Sequence, residues 1–145
     1  MKKIYPILLF LCIIGILDAS YLLFEHYSNT VPPCYVHAVF TDCGKVLSSS
    51  YATILHIPVP MLGVIYYFSL LSLMCILLYK KSSKAQYLLF VLSGIGFLMS
   101  LYFVFLQLFI IKAICLYCMT SAFISTSLFF IISYFNRNKS HIYGK

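Results

Sequence analysis

Residues 115–135, CLYCMTSAFISTSLFFIISYF, decide the fold of this chain, because an apolar run long enough to cross a bilayer begins with a Cys-x-x-Cys. A transmembrane helix needs about 20 mostly apolar residues. The whole sequence has the same character, since 63% of its 145 residues are hydrophobic and only 9% are charged. In a soluble domain, roughly a quarter of the residues are charged. We therefore predict an integral membrane protein.

The other apolar runs set the number of spans. An all-α membrane protein is predicted, a four-transmembrane-helix bundle built as one membrane domain over residues 1–145. The predicted spans are residues 4–24, 57–79, 85–111 and 115–135.

The first span and the loop after it need separate interpretation. With Lys2 and Lys3 before it, the first run is similar to a secretory signal peptide, but it stays apolar through Phe24, which favours an uncleaved helix. Residues 25–57 are the one long polar segment. A short interfacial helix is predicted there between Cys43 and Leu55, because the apolar side chains fall roughly on one helical face.

The basic residues predict the orientation in the membrane. An even number of spans puts both termini on one side, together with the turn between the second and third spans. Eight of the ten basic residues then share that side: Lys2, Lys3, Lys80, Lys81, Lys84, Arg137, Lys139 and Lys145. Because basic residues in short loops mark the cytoplasmic face, we predict cytoplasmic termini and an outward-facing 25–57 loop. The net charge of +7 thus reports topology and does not indicate a nucleic-acid site.

The Cys115-x-x-Cys118 pair is predicted to be redox-active. No His follows Cys118, which excludes c-type haem attachment, and no second Cys-x-x-Cys supplies the remaining ligands of a zinc site. At the start of a helix, the first sulfur lies near unpaired N–H groups, which lower its pKa and favour the thiolate. A purely structural disulfide closing so short a loop would add almost no constraint.

The other cysteines fall into two groups. Cys34 and Cys43 lie in the outer loop, where thiols persist as disulfides; they are either a loop staple or a second redox pair. Cys12 and Cys75 lie within apolar runs and are interpreted as small buried hydrophobes. A zinc site from Cys34, His37 and Cys43 is disfavoured by their irregular spacing, so no metal is expected.

Few other groups suggest chemistry. The sequence has no Gly-rich phosphate loop, no serine nucleophile motif and no paired carboxylates. Asp18 is the one intramembrane carboxylate and is either functional or close to the interface. Lys112, three residues before Cys115, either favours the thiolate or is an ordinary interfacial lysine.

These motifs together resemble the vitamin K epoxide reductase family in its bacterial form. The resemblance covers roughly residues 8–135 and rests on an ordered set of motifs. These are the loop cysteines, the Ser-Ser that follows the second of them, the segment Ile57-Pro58-Val59-Pro60-Met61-Leu62-Gly63 and the Cys-x-x-Cys that opens the last span. It implies a bacterial cytoplasmic (inner) membrane protein whose helices surround a quinone, menaquinone or ubiquinone.

The resemblance also implies roles for individual residues. Cys115 and Cys118 would be the active pair, with Cys118 facing the quinone, and Ser49 would be the serine of the quinone pocket. Cys34 and Cys43 would shuttle electrons from a thioredoxin-fold, DsbA-like protein, which is expected to be a separate chain.

Two departures concern the substrate. Val59 and Ala122 stand where epoxide-reducing vertebrate members have Asn and Tyr. The resemblance therefore predicts disulfide formation rather than epoxide reduction.

Two other protein classes remain as alternatives. The unrelated DsbB-type oxidase places its Cys-x-x-Cys in the first outer loop, the reverse of the order here. A non-enzymatic assembly factor or transporter subunit would use the cysteines as structural disulfides.

Overall fold

The protein is described by a computed structural model covering residues 4–28, 43–47, 49–54, 57–80 and 82–143. Within these residues, four helices are long and apolar enough to cross a membrane. The membrane-crossing segments are Ile4–Ser28, Val59–Lys80, Ser83–Ile111 and Leu116–Arg137. The prediction of an all-α, four-helix membrane protein is confirmed.

The elements are numbered here in chain order. α1 is Ile4–Ser28, α2 is Cys43–Leu47, α3 is Val59–Lys80, α4 is Ser83–Phe105 and α5 is Leu116–Tyr143. α1 packs on α3 and α5, and α4 packs on α5 and α3. The bundle buries a core that includes Leu70, Met74 and Leu128, whereas large apolar side chains such as Phe10 and Phe68 remain exposed on its outside. An apolar exterior is what a bilayer requires of a helix bundle.

The two intramembrane cysteines differ in environment. Cys12 is fully buried, and its thiol lies 3.9 Å from the Met74 sulfur. Cys75 is exposed, so the prediction that it is buried was wrong. The adjacent residue Met74 takes the core-facing position of α3, which turns Cys75 about 100° away, toward the outside of the bundle.

Two glycines let the helices approach one another. A Cβ at Gly15 would lie 2.6 Å from the ring of Tyr67, and a Cβ at Gly96 would overlap the phenol of Tyr66. Both tyrosines bond to α5: the Tyr67 hydroxyl donates to the Ser121 carbonyl at 2.8 Å, and the Tyr66 hydroxyl lies 3.2 Å from the Ser125 hydroxyl. Small residues at helix contacts permit this close packing.

The outer loop contains less helix than the sequence predicts. α2 ends at Leu47, and a 3₁₀ turn, Ser50–Ala52, precedes a short antiparallel hairpin of β1 (Thr53–Ile54) and β2 (Ile57–Pro58). The predicted helix from Cys43 to Leu55 was therefore too long, and Leu55 itself lies outside the described residues. The Ser49 hydroxyl donates to the Val46 carbonyl at 2.7 Å. Serine competes with helical hydrogen bonding in this way, which is consistent with the early end of α2.

Candidate functional site

The connection between α4 and α5 places the Cys-x-x-Cys. After Phe105 the chain continues as a π-helix, Leu106–Ile111, and Lys112 then takes a left-handed conformation with φ of 53°. The Gln107 carbonyl accepts from the Ala113 N–H at 3.2 Å, which closes this turn. π-Helical turns and left-handed residues are found where a chain must be redirected at a site. Here they direct Cys115 into the protein immediately before α5 begins.

Cys115 is held by its backbone as well as by packing. Its N–H donates to the Gln107 side-chain oxygen at 3.0 Å, and the residue has no exposed surface. Gln107 itself is 3% exposed. A buried amide needs hydrogen-bond partners, and an N–H at the first turn of a helix has none within the helix. The Gln107 oxygen and the Cys115 N–H therefore serve as hydrogen-bond partners for each other.

The two thiols form an asymmetric pair. Both are free, and the Cys118 N–H donates to the Cys115 sulfur at 3.4 Å. Hydrogen bonding by the Cys118 thiol, and then by the Cys118 and Tyr117 N–H groups, lowers the pKa of the Cys115 thiol below its ordinary value, although burial opposes the effect. The helix-start position predicted this stabilisation of the first thiolate, and the structure adds the Cys118 thiol as its largest cause.

Cys43 lies beside this pair. Cys43 and Val46 of α2 pack with Ala113 and Cys115 in one buried cluster, and Cys118 packs against its edge. Cys43 is disulfide-bonded, and Cys34 lies outside the described residues. The structure thus brings one of the two predicted loop cysteines to the Cys-x-x-Cys.

A cavity of about 430 Å³ lies on the other side of Cys118. Cys118 lines it, whereas neither Cys115 nor Cys43 does. Its walls come from all four membrane-crossing segments and from the outer loop, and they are mainly apolar. Ligand sites are usually apolar cavities of this size with a few polar groups.

Ten of the residues that line the cavity have polar side chains. Among those that bear on the argument are His26, Ser49, Tyr66, Tyr67, Gln107 and Ser121. The two tyrosine hydroxyls are paired with α5, and the Ser49 hydroxyl is bonded to Val46, as described above. Val59 and Ala122 also line the cavity, so both substituted positions are apolar wall positions here.

The remaining predicted residues take varied positions. Asp18 is half-buried in α1, and its Oδ2 atom is occluded without a hydrogen-bond partner. Protein atoms therefore occlude this oxygen of the carboxylate. Lys112 is exposed, as expected of an interfacial lysine. His37 lies outside the described residues, and within the described part no three metal-ligand side chains come together.

The sequence analysis did not identify Gln107, Tyr66 or Tyr67. Gln107 carried a usable signal, since it is an amide within an apolar run eight positions before Cys115. The tyrosines carried no such signal, because 13 tyrosines are distributed along the chain and only the packing distinguishes these two.

Comparison with known proteins agrees with this geometry. The chain is 31% identical over 122 residues to thiol-disulfide oxidoreductase LTO1 of Arabidopsis thaliana. That alignment covers 79% of this chain but 32% of the relative, so the chain spans about a third of the relative's length.

A family match covers more of the sequence. Residues 6–133 match the vitamin K epoxide reductase family, which confirms the resemblance predicted from the cysteines and the Ile57–Gly63 segment. The match extends from the start of α1 almost to the end of the last membrane-crossing segment. This multi-pass membrane protein therefore belongs to the vitamin K epoxide reductase family.

Proposed function

We propose that this protein is a membrane thiol-disulfide oxidoreductase that reoxidises a thioredoxin-fold, DsbA-like protein and passes the electrons to a membrane quinone. One observation carries the proposal: Cys115 packs with Cys43 of the outer loop, while Cys118 lines an apolar cavity. The pair therefore contacts a loop cysteine on one side and a ligand-sized space on the other. Family membership and the similarity to a thiol-disulfide oxidoreductase support the same chemistry.

The first steps are disulfide exchange at the outer loop. A thiolate of the partner attacks the Cys34–Cys43 disulfide, and a mixed disulfide with the partner forms and resolves. The reduced loop pair then attacks the Cys115–Cys118 disulfide. Because Cys43 packs in one cluster with Cys115, we assign that exchange to these two sulfurs. Cys118 then becomes the free thiolate beside the cavity. Cys34 next attacks the Cys43 sulfur of the Cys43–Cys115 bond, which restores the loop disulfide and releases Cys115 as a thiol.

The last step restores the Cys115–Cys118 disulfide. As this S–S bond forms, the two thiols together release two electrons and two protons. Cys115 supplies the thiolate that forms the new bond to the Cys118 sulfur. Its lowered pKa leaves more of the Cys115 thiol deprotonated near neutral pH. A quinone bound in the cavity supplies the chemistry of a two-electron, two-proton acceptor. The apolar wall fits its ring, and Cys118 would be the residue that faces it.

The location of the site follows from the charge distribution. We place the protein in a bacterial cytoplasmic membrane with both termini in the cytoplasm, since the basic residues cluster at that end. The cysteine pairs then face the periplasm, where disulfides persist. Ser49 lines the cavity beside the loop and is the proposed quinone-pocket serine. Epoxide reduction is not part of the proposal, because Val59 and Ala122 offer the cavity no polar group.

The test is anaerobic stopped-flow on the purified protein in detergent, following quinone absorbance after addition of a reduced DsbA-like protein. Wild type is expected to reduce one quinone per partner dithiol oxidised, and Cys118→Ala is expected to reduce none. Cys75→Ala is the matched control, because this thiol faces the outside of the bundle, away from the cavity. In Cys118→Ala without the partner, the Cys115 thiolate can attack the Cys34–Cys43 disulfide and release Cys34. Mass spectrometry should then detect a Cys43–Cys115 disulfide that cannot be resolved by Cys118.

The opposite result would favour a structural role for the cysteines. If wild type reduces no quinone and its loop disulfide resists the partner, the protein belongs to the non-enzymatic class. Quinone reduction that survives in Cys118→Ala would instead remove Cys118 from the electron path.

A further inference from the structure

We infer that Gln107 is a quinone-binding residue whose side-chain nitrogen donates a hydrogen bond to a quinone carbonyl while its oxygen holds Cys115. The inference rests on the proposed function and adds a residue to it. It comes from the orientation of one buried amide between the cysteine pair and the cavity.

The orientation of the amide is fixed by its neighbour. A backbone N–H can only donate, so the Gln107 atom that faces the Cys115 N–H at 3.0 Å must be the oxygen. The NH₂ group of the same amide therefore points away from the Cys115 backbone. No described residue accepts a hydrogen bond from it.

The nitrogen borders the cavity. Within the described chain, the fully occluded side-chain polar atoms without a partner are Asp18 Oδ2 and Ser133 Oγ. The Gln107 nitrogen is not among them although it too lacks a partner, so it retains access to open space. Gln107 is 3% exposed and lines the cavity, and we assign that open space to the cavity.

An unpaired amide donor in an apolar wall favours a ligand with an acceptor atom. A buried donor without a hydrogen-bond partner destabilises the protein, and a ligand acceptor that pairs with it removes this penalty. A quinone carbonyl is an acceptor whose negative charge grows during reduction, so a fixed donor stabilises the reduced form more than the oxidised form. The hydroxyls of Tyr66, Tyr67 and Ser49 are already bonded within the protein.

The position of Gln107 would also hold the quinone close to the sulfurs of the cysteine pair. The same amide bonds the backbone of Cys115, and Cys118 lines the same cavity. A carbonyl held by Gln107 would therefore be held next to the pair. Gln107 thereby takes the place of the polar groups that are absent at Val59 and Ala122.

Two variants test the roles of the Gln107 side-chain oxygen and nitrogen separately. Gln107→Glu keeps an oxygen for the Cys115 N–H and lacks a donor when its carboxyl is ionised, whereas its protonated form carries an O–H donor. Gln107→Met removes both the oxygen and the donor. Gln86→Met is the matched control: Gln86 lies in the same membrane-crossing segment, but its amide nitrogen bonds Asn136 and it does not line the large cavity.

The measurement is quinone binding to the full-length, oxidised protein in detergent without a thiol donor, so that no turnover occurs. The probes are ubiquinone-1 and menadione, each labelled with ¹³C at the carbonyls. Loss of one hydrogen bond should raise the Kd roughly three- to tenfold in Gln107→Met and in ionised Gln107→Glu, and leave Gln86→Met unchanged. The infrared C=O stretch of the bound probe should move to higher frequency, because a hydrogen bond weakens the C=O bond.

Hydrogen exchange distinguishes binding from support of the backbone. The Cys115 amide should exchange faster in Gln107→Met and remain protected in Gln107→Glu. Wild-type Kd and C=O frequency in Gln107→Met would overturn the inference, and so would the same result in Gln107→Glu at a pH where its infrared carboxylate bands show it ionised. If wild type itself bound neither quinone, the proposed function would fail and this inference with it. Binding to wild type that both variants match would refute the role of Gln107 alone.

Discussion

Gly96→Ala tests whether the approach of α3 to α4 shapes both the bundle and the cavity. A Cβ at this position would overlap the Tyr66 phenol, so the ring or the helix must move. Overpacking of this kind costs about 1–3 kcal/mol. The matched control is Gly94→Ala on the same helix, where the new Cβ would lie an ordinary 3.6 Å from Phe129. Alanine is better than glycine in a helix by roughly 0.5–1 kcal/mol, but both variants gain this, so they should differ by the overpacking cost alone, about 1–3 kcal/mol.

The assay is reversible unfolding in mixed micelles of increasing SDS fraction, followed by circular dichroism. Gly96→Ala should lower the free energy of unfolding and weaken quinone binding, because the displaced Tyr66 ring lines the cavity. In a Tyr66→Leu background the same change should cost less, since contacting residues are not additive. If Gly96→Ala and Gly94→Ala unfold alike and bind quinone alike, the close approach described here is wrong.

Three further predictions use other parts of the structure. In fully reduced protein, Cys118→Ala should shift the pH midpoint of Cys115 alkylation upward, because the Cys118 thiol is the largest cause of the lowered Cys115 pKa; mass spectrometry across a pH series measures this. Tyr67→Phe should lower the free energy of unfolding by about 1–3 kcal/mol in the same micelle assay, since it removes the bonds to the Ser121 carbonyl and hydroxyl. Cys75→Ala should leave partner oxidation and quinone reduction at wild-type rates in the stopped-flow assay, because the thiol lies outside the bundle.

The membrane fold was predictable because its signals are local. An apolar run of sufficient length identifies a span whatever it packs against. Packing between spans was not predictable to the same degree. Cys12 and Cys75 lie in similar apolar runs, yet one is fully buried and the other exposed. When every face of a helix is apolar, the sequence pattern no longer shows which face meets protein and which meets lipid.

The secondary structure of the outer loop was also not predicted correctly from the sequence. The apolar residues between Cys43 and Leu55 suggested one helix, but α2 ends after five residues and a 3₁₀ turn and a hairpin follow. Serine side chains that bond nearby backbone act against a helix in a way that apolar periodicity does not register.

In the candidate site, too, local features could be predicted from the sequence and features that depend on packing could not. Cys115 and Cys118 could be selected as the candidate redox pair from the sequence because their spacing and helix-start position are local features. The amide that bonds Cys115 was not identified, because the π-helical turn that brings Gln107 back toward the cysteine has no simple sequence signature. The cavity arises only when four helices and the loop come together, so no single stretch could predict its lining.

The division of the cysteine pair between two environments explains how the proposed electron path keeps its order. Cys43 packs with Cys115 and does not line the cavity, whereas Cys118 does. A quinone in the cavity would therefore meet Cys118 and not the loop sulfur, and the loop would meet Cys115 first. Electrons from the loop would reach the cavity only through the Cys115–Cys118 bond. Gln107 contacts both sides of this arrangement, since its oxygen bonds the Cys115 backbone and its nitrogen borders the cavity. A change in the cavity can thus alter the backbone that holds the attacking sulfur, which is why binding and hydrogen exchange must be measured on the same variants.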